Sequence, residues 1–218
     1  MTIKITGHWV SACTQQVLLV LYEKDVEFEL KNIDWSTVEH KSEPHLKNQP
    51  FGQIPFIDDD GFILFECRAI GRYIATKYAD QGPKLLPDPS DLKAVALFEQ
   101  AASIEQSNFD SYAGAIAHEK YYNPMQGFPT NEAAYQRNLD ILNAKLDGYE
   151  RILSKQKYLA GDELTLADLW HLPYSDVAEI IAPQLLESHP KFNEWYQGLK
   201  ARPSWVKVKD FIQQSMKA

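Results

Sequence analysis

A short proline-rich segment divides the chain into two parts with different patterns of hydrophobic residues. The nine residues from Gly82 to Ser90 contain three prolines and one glycine. No regular helix or strand tolerates that composition, because proline lacks a backbone N–H and fixes its own φ. We therefore expect a linker at 83–90 that joins a domain over 1–82 to a second domain over 91–218. A chain of 218 residues is long enough for two hydrophobic cores.

The first part alternates between short strand patterns and helical patterns. Apolar side chains recur at every second position in the strand patterns and on one face in the helical ones. Asp60-Gly61 stands between two apolar runs, which is a strong indicator of a β-hairpin. The predicted elements are a strand at 3–6, a helix at 11–24, strands at 28–33, 56–57 and 62–65, and a helix at 66–79. This order predicts a βαβββα unit.

The second part shows helical patterns throughout. Six apolar residues recur at alternating steps of three and four and predict the core-facing side of one long helix. They are Tyr135, Leu139, Leu142, Leu146, Tyr149 and Leu153. Thr165 and Asp168 form a capping-box pattern at the start of a further helix, within which Pro173 is expected to produce a bend. We therefore expect an all-helical domain.

The acidic composition argues against a polyanionic partner. The formal net charge is -8 and the pI is about 5.3, whereas proteins that bind nucleic acids usually present a basic face. The N-terminus lacks the pattern of a secretory signal, and no apolar run is long enough to span a membrane. We expect a cytoplasmic protein that binds neither nucleic acid nor membranes.

The two cysteines, Cys13 and Cys67, are expected to be free thiols. A single pair in a chain with an ample hydrophobic core is typical of a reducing compartment. The six histidines show no metal-ligand spacing, and no glycine-rich phosphate loop is present. No metal or nucleotide is therefore expected.

Five motifs occur in an order and spacing that are specific when taken together. They are Ser11 just after the first strand, His40-Lys41, Pro50-Phe51-Gly52-Gln53-Ile54-Pro55, Phe65-Glu66-Cys67-Arg68-Ala69-Ile70, and Tyr158-Leu159-Ala160-Gly161 before Leu166-Ala167-Asp168-Leu169. With these motifs the chain resembles a phi-class, serine-type glutathione S-transferase over nearly its whole length. The resemblance implies the cytosolic glutathione transferase architecture, with a thioredoxin-like α/β N-terminal domain and an all-α C-terminal domain. It also implies detoxification by joining glutathione to small hydrophobic electrophiles.

The resemblance assigns the catalytic role to Ser11. A thiol with a pKa of about 8.5 is only about 3% ionised at pH 7, so the enzyme has to favour the thiolate. A hydroxyl at a helix N-terminus could supply both a hydrogen bond and the positive end of the helix dipole. The alternative for Ser11 is that it serves only as the N-cap of the helix.

The same resemblance implies a set of residues that bind glutathione. The start of the helix at 66–79 suits the γ-glutamyl group, with helix N–H groups for its carboxylate and an acid for its ammonium. A cis proline at Pro55 would let the preceding residue pair with glutathione as with an extended peptide. The predicted binding residues are Ser11, Ala12, His40, Lys41, Gln53, Ile54, Glu66 and Cys67. As isolated residues, several of them would be ordinary surface charges or a favourable first helical turn.

Two positions depart from the family pattern, and two other functions remain open. Cys67 stands where a serine usually follows the glutamate, and Gln16 stands where an arginine is common. Cys13 at the start of a helix could instead be the nucleophile of a cysteine-dependent thiol transferase. A non-catalytic carrier of hydrophobic ligands with the same fold is the other alternative.

The resemblance also implies an electrophile site between the domains and a homodimer. The expected walls of that site are mostly aromatic, which favours broad specificity for apolar substrates. They are Ala12, Trp35, Phe109, Tyr112, Tyr121 and Tyr122. Phe51, in the loop after Pro50, is expected to insert into a neighbouring subunit. The alternative for each of these aromatic residues is ordinary core packing.

Overall fold

The computed structural model describes residues 2–217, which form two compact units. One unit contains the chain up to Lys84 together with the segment from Arg202 onward. The other contains Leu85–Ala201. Both units contain fully buried apolar side chains.

The N-terminal unit has the predicted order of strands and helices. Its first strand and helix follow the predicted bounds closely, and the Asp60-Gly61 turn joins the last two strands. The elements are β1 (Ile3–Gly7), α1 (Ala12–Glu23), β2 (Phe28–Asn32), a 3₁₀ turn (Glu39–Lys41), α2 (Glu43–Leu46), β3 (Phe56–Asp59), β4 (Phe62–Phe65) and α3 (Cys67–Lys77). The short helix α2 was not predicted. The α/β, thioredoxin-like fold class is confirmed.

The four strands form one mixed sheet in the order β2-β1-β3-β4. β1 runs parallel to β2, whereas β3 is antiparallel to both of its neighbours. Thr6 pairs with Phe56, and Phe56 pairs with Phe65. The C-terminal ends of β1 and β4 therefore meet the N-terminal end of β3 at one edge of the sheet.

The core of this unit lies between the sheet and two helices. α1 is buried along most of its length, and Val17–Leu21 are fully buried. α3 packs beside it and contributes Ile70 and Ile74, which are also fully buried. Because α1 is held by packing on several sides, its N-terminus, where Ser11 lies, has a fixed position relative to the sheet.

The second unit is entirely helical, and its longest helix has the predicted core face. All six apolar residues of that pattern are buried in α7. Two π-helical turns interrupt the helices before α7, and the sequence did not indicate them. The elements are α4 (Leu92–Glu105), a π turn (Gln106–Asp110), α5 (Ser111–Ala117), a π turn (His118–Tyr122), α6 (Asn123–Met125), α7 (Glu132–Leu153), α8 (Leu166–Leu169), α9 (Leu172–Ile181), α10 (Gln184–Glu187) and α11 (Pro190–Lys200).

The predicted capping box is present, but the predicted bend at Pro173 is wrong. The Thr165 and Asp168 side chains cap α8 reciprocally, and the Thr165 N–H donates to Asp168 Oδ2 at 2.9 Å. α8 ends at Leu169, and Pro173 lies in the first turn of a separate helix, α9. Proline is tolerated there because the first turn of a helix has no internal partner for its N–H groups.

The last helix, α12 (Pro203–Ser215), packs against α1 in the N-terminal unit. Arg202 donates to both carboxylate oxygens of the buried Glu23, at 2.5 and 2.7 Å, and Ser204 Oγ donates to the same group at 2.5 Å. The helical domain was expected to cover 91–218, but the segment from Arg202 onward belongs to the first compact unit.

Candidate active site

The sheet register brings the predicted site residues to one end of the N-terminal unit. Ser11 follows β1, Ile54 precedes β3 and Glu66 follows β4. Gly7, at the end of β1, also pairs with Asn32, so the segment after β2 that carries His40 starts from the same end. The strand pairing therefore brings these segments together at one edge of the sheet.

Ser11 is the N-cap of α1. Its backbone is extended, with φ -70° and ψ 124°, and its Oγ accepts a hydrogen bond from the Thr14 N–H at 3.4 Å. A hydroxyl both accepts and donates, so this cap leaves the proton of Ser11 available to another acceptor. The cap and the donor role are compatible in one side chain, which is half-buried.

Gly7 allows β1, α1 and the loop before β3 to approach closely. A Cβ at Gly7 would lie 2.7 Å from Thr14 Oγ1 and 3.3 Å from the Cβ of Pro55. The Ile54–Pro55 peptide bond is cis, as expected. Ile54 lies just outside β3, beside the end of β1 that leads to Ser11.

The loop over 49–55 is tied to α2 and to the His40-Lys41 segment. His45 Nε2 lies 2.8 Å from the Gln53 carbonyl oxygen, and the Gln53 N–H donates to Gln49 Oε1 at 3.1 Å. Gly52 has φ +61°, and a Cβ there would lie 2.9 Å from the His40 carbonyl oxygen. These contacts bring Gln53 and His40 into one region.

His40 and Lys41 differ in their surroundings. Burial, followed by the charges of Lys41 and His45, lowers the pKa of His40 below its usual 6.5, so its imidazole is neutral at pH 7. Its Nδ1 is buried and has no hydrogen-bond partner among residues 2–217. Lys41 is exposed, and its Nζ donates to the Phe51 carbonyl oxygen at 3.2 Å.

Glu66 holds an uncommon backbone conformation at the start of α3. It is the N-cap residue, with φ 70° and ψ 107°, and its side chain is exposed. Non-glycine residues in such conformations cost roughly 1–3 kcal/mol and concentrate at functional sites. Cys67 follows as a buried residue, with Arg68 Nη1 at 3.9 Å from its Sγ. No disulfide joins Cys67 to Cys13, as expected.

His8 belongs to this region but was missed by the sequence analysis. Its ring contacts the indoles of Trp9 and Trp35, with centroid distances of 5.0 and 5.8 Å. Trp35 in turn packs edge-on against His40 at 4.9 Å. The position of His8, between the first strand and Ser11, is the feature from which it could have been noticed.

The residues that are expected to line the electrophile site fall into two groups. Trp35 belongs to the N-terminal unit and is 40% exposed, whereas Ala12 is buried at the start of α1. Phe109 is only 1% exposed and packs on Tyr149, His171 and Phe192, so it is a core side chain of the helical unit. The remaining aromatic walls are half-buried in that unit: Tyr112, Tyr121 and Tyr122.

A separate cavity of about 450 Å³ lies on the sheet beside α2. Lys4, Thr6, Lys31, His45 and Asp58 are among its lining residues. None of the predicted site residues lines it, so it is distinct from the Ser11 region.

Within residues 2–217 no group of three or more His, Cys, Asp or Glu side chains could hold a metal ion. None of the described helices is long and apolar enough to cross a membrane.

The arrangement matches that of a known family. A family model described as the glutathione S-transferase N-terminal domain matches residues 1–76, and one described as the C-terminal domain matches residues 109–203. The Arabidopsis thaliana protein "Glutathione S-transferase PM239X14" is 47% identical over 197 residues, which cover 89% of this chain and 90% of that protein. The chain belongs to the glutathione S-transferase family.

Solved structures and further relatives place this transferase within one class. The crystal structure of glutathione transferase F7 from Populus trichocarpa has a TM-score of 0.91 and 34% identity, and covers 97% of this chain and 99% of that chain. Glutathione S-transferase I from mais, solved in complex with an atrazine glutathione conjugate, has a TM-score of 0.88 and 32% identity, and covers 98% and 99%. Three further Arabidopsis thaliana relatives of F type are 39% identical. The phi-class assignment is confirmed.

Proposed function

We propose that this transferase joins the sulfur of glutathione to small hydrophobic electrophiles and that Ser11 stabilises the thiolate. The observation that carries the proposal is the half-buried hydroxyl of Ser11 at the N-terminus of α1. The hydroxyl already accepts from Thr14, so its proton is the one available for an anionic sulfur.

The energetics are sufficient without a protein base. Lowering a thiol pKa of about 8.5 by about 2 units requires about 2.7 kcal/mol of preferential thiolate stabilisation. A hydrogen bond to a charged acceptor contributes roughly 1.5–3 kcal/mol, and a helix N-terminus adds about 0.3–1 kcal/mol. Gln16 is fully buried and uncharged, so the hydroxyl and the helix are the groups that we assign to this task.

The remaining predicted residues would hold glutathione in place. We assign the γ-glutamyl group to the N-terminus of α3, with Glu66 facing its ammonium and the Cys67 N–H facing its carboxylate. His40 has a buried Nδ1 without a partner in the described chain, and Lys41 is exposed beside it. Both suit the glycyl carboxylate. Ala12, Gln53 and Ile54 would supply backbone or amide contacts around the cysteinyl residue.

The reaction follows from a positioned thiolate. The thiol proton leaves to solvent, and the sulfur lone pair forms a bond to the electrophilic carbon. A leaving group such as chloride departs with the electron pair of its own bond. Ser11 keeps its proton throughout and donates a hydrogen bond to the sulfur. Proximity and apolar contact are then enough for the second reactant, which accounts for broad specificity.

We also propose a cytoplasmic homodimer whose subunits meet at Phe51. Phe51 is 66% exposed and rests edge-on against Phe65 at 6.2 Å. An exposed phenyl ring of this kind favours burial against a partner surface. We retain 1–82 as the glutathione-binding domain, 83–90 as the linker and 91–218 as the helical domain that supplies electrophile contacts.

The decisive experiment compares conjugation to chlorodinitrobenzene by three forms of the chain. Ser11→Ala is expected to lower kcat/KM by about tenfold to a hundredfold, the equivalent of one charge-assisted hydrogen bond. Cys13→Ser is the matched control, because it changes a nearby residue of the same helix, and it is expected to retain activity.

Each other outcome points to a different function. Loss of activity with Cys13→Ser alone would indicate a cysteine-dependent thiol transferase. Absence of turnover by the unchanged chain, with glutathione still bound, would indicate a carrier.

A further inference from the structure

The loop that leads from β1 to Ser11 is organised around one residue, His8. The backbone N–H of His8 donates to Thr14 Oγ1 at 3.3 Å, and its carbonyl oxygen accepts from the Ser11 N–H at 3.0 Å. Its ring Nδ1 accepts from the Val10 N–H at 3.2 Å. These hydrogen bonds with His8 therefore hold the backbone of both Val10 and Ser11 in place.

The Val10 contact requires one particular form of the imidazole. A backbone N–H is only a donor, so the Nδ1 atom that it reaches has to carry a free lone pair. That is the neutral ring with its proton on Nε2. In the imidazolium form both ring nitrogens carry protons, so the Nδ1–H would face the Val10 N–H and the hydrogen bond would be lost.

The same ring also connects the Ser11 loop to Trp35. Its centroid lies 5.0 Å from that of Trp9 and 5.8 Å from that of Trp35. A change at His8 therefore reaches the serine loop on one side and the exposed indole on the other.

We propose that His8 is a positioning residue for Ser11, and that its neutral imidazole holds the loop in the geometry that stabilises the glutathione thiolate. Protonation of His8 releases the Val10 N–H, loosens the turn before Ser11 and weakens the hydrogen bond from the Ser11 hydroxyl to the sulfur. This inference rests on the proposed role of Ser11. The proposed effect of His8 is indirect, because it acts through the loop that carries Ser11.

The groups around the His8 ring support this view. The ring contacts two indoles, which do not titrate, and Thr14 of α1 contacts its backbone. The titratable and charged groups beyond Trp35 are His40, which packs on that indole, with Lys41 and His45 beside it. Burial lowers the pKa of His8 below its usual 6.5, which keeps the ring neutral at neutral pH.

Two substitutions separate the acceptor from the ring. His8→Asn replaces Nδ1 with an amide oxygen, and an asparagine side chain commonly accepts from the N–H two residues on, which is here Val10. This variant keeps the acceptor but cannot be protonated in the working range. His8→Phe keeps an aromatic ring against Trp9 and Trp35 but removes the acceptor at every pH.

The readouts are the pKa of the glutathione thiol in the binary complex, from its ultraviolet thiolate absorbance, and the pH profile of kcat/KM. Because one neutral hydrogen bond is lost, His8→Phe is expected to lower kcat/KM at pH 7 by about threefold to tenfold and to raise the thiol pKa. His8→Asn is expected to restore both. On the acid side, protonation of His8 should lower kcat/KM of the unchanged chain by about threefold to tenfold more than that of His8→Asn.

The outcomes are distinguishable from a failure of the proposed function. If the unchanged chain shows no lowered thiol pKa, the role of Ser11 is wrong. If the thiol pKa is lowered but the ratio of kcat/KM between the unchanged chain and His8→Asn does not change between neutral and acid pH, the role of His8 is overturned. His40 is present in every variant, so the difference between profiles isolates His8. Should His8→Phe fail to fold, the comparison between the unchanged chain and His8→Asn decides alone.

Discussion

Ser11 is the N-cap residue of α1 and is also proposed to donate a hydrogen bond to the glutathione sulfur. The structure uses its oxygen to cap α1 through the Thr14 N–H and leaves its proton free to be donated. A capping serine is held in one orientation by the bond that it accepts, so the structural task supports the proposed chemical one. Glu66 likewise has a structural and a proposed chemical role, because it is the N-cap residue of α3 and is proposed to bind the substrate ammonium.

Glu66 is expected to cost stability for the sake of function. With φ 70° and ψ 107° it lies where only glycine is unstrained. Glu66→Gly should raise the free energy of unfolding by about 1 kcal/mol, after allowing for the extra freedom of glycine in the unfolded chain. The KM for glutathione should rise in the same variant, because the carboxylate is gone. Denaturant unfolding and steady-state kinetics measure the two effects.

Asp25 provides the matched control for Glu66. It is another exposed acidic residue with positive φ, at 51°, but it lies after the C-terminal end of α1. Asp25→Gly should change stability in the same direction and leave the KM for glutathione unaltered. An unchanged KM in Glu66→Gly would contradict the binding role of this carboxylate.

At the level of single residues, the sequence predicted some residues of the candidate site but not others. Ser11, His40 and Glu66 were predicted because they stand in motifs whose order is specific to the family. His8 was missed because no motif contains it and because a lone histidine in a loop has no periodicity. Its proposed role depends on hydrogen bonds within a turn, and these are visible only when the backbone is folded.

Among the elements, the contact between the His40-Lys41 turn and the loop before β3 depends on Gly52. A methyl group there would lie 2.7 Å from Lys41 Cδ and 2.9 Å from the His40 carbonyl oxygen, at φ +61°. We expect Gly52→Ala to lower stability by about 1–3 kcal/mol and to raise the KM for glutathione, because both segments are displaced.

Gly61→Ala separates crowding from backbone strain. Gly61 also has positive φ, at +89°, but its added Cβ would have no neighbour within 4 Å among the described residues. Gly61→Ala should therefore cost stability alone and leave glutathione binding unchanged. Equal KM values for the two alanine variants would show that Gly52 does not join the two segments of the site.

The elements themselves were predictable where local chemistry dominates. α1, the Asp60-Gly61 hairpin and the core face of α7 follow from periodicity and turn residues, and all are present. The short α2 and the two π-helical turns were not predicted. Short helices carry too few residues for a period, and π turns depend on packing. Pro173 was predicted within a bent helix, but the chain instead starts a new helix there.

At the scale of the whole molecule, Glu23 and Arg202 join residues that are far apart in sequence. The two side chains form a bidentate pair with the carboxylate almost fully buried, and Ser204 donates to the same group. The linear sequence could not reveal this pairing, because nothing in the local pattern around Arg202 marks its distant partner. The proposed linker at 83–90 divides the chain into two consecutive segments. In the structure, however, the segment from Arg202 onward belongs to the first compact unit.

Removing the guanidinium should loosen this terminal segment. Arg202→Leu leaves the Glu23 carboxylate buried without its bidentate partner, which typically costs about 3–5 kcal/mol. Hydrogen exchange should accelerate in α12 more than elsewhere. Lys191→Leu is the control, since its ion pair with Glu194 is exposed to solvent and should contribute little to stability. Equal exchange rates in α12 for the two variants would contradict the account of this pair.

Ser11 is proposed to lower the pKa of the glutathione thiol, and a titration of the bound thiol measures that shift. The thiolate absorbance of bound glutathione is followed against pH in the unchanged chain and in Ser11→Ala. The unchanged complex should titrate about 2 units below free glutathione, and Ser11→Ala should return most of that shift. Identical thiol pKa values in the two complexes, with glutathione bound in both, would contradict this role of Ser11.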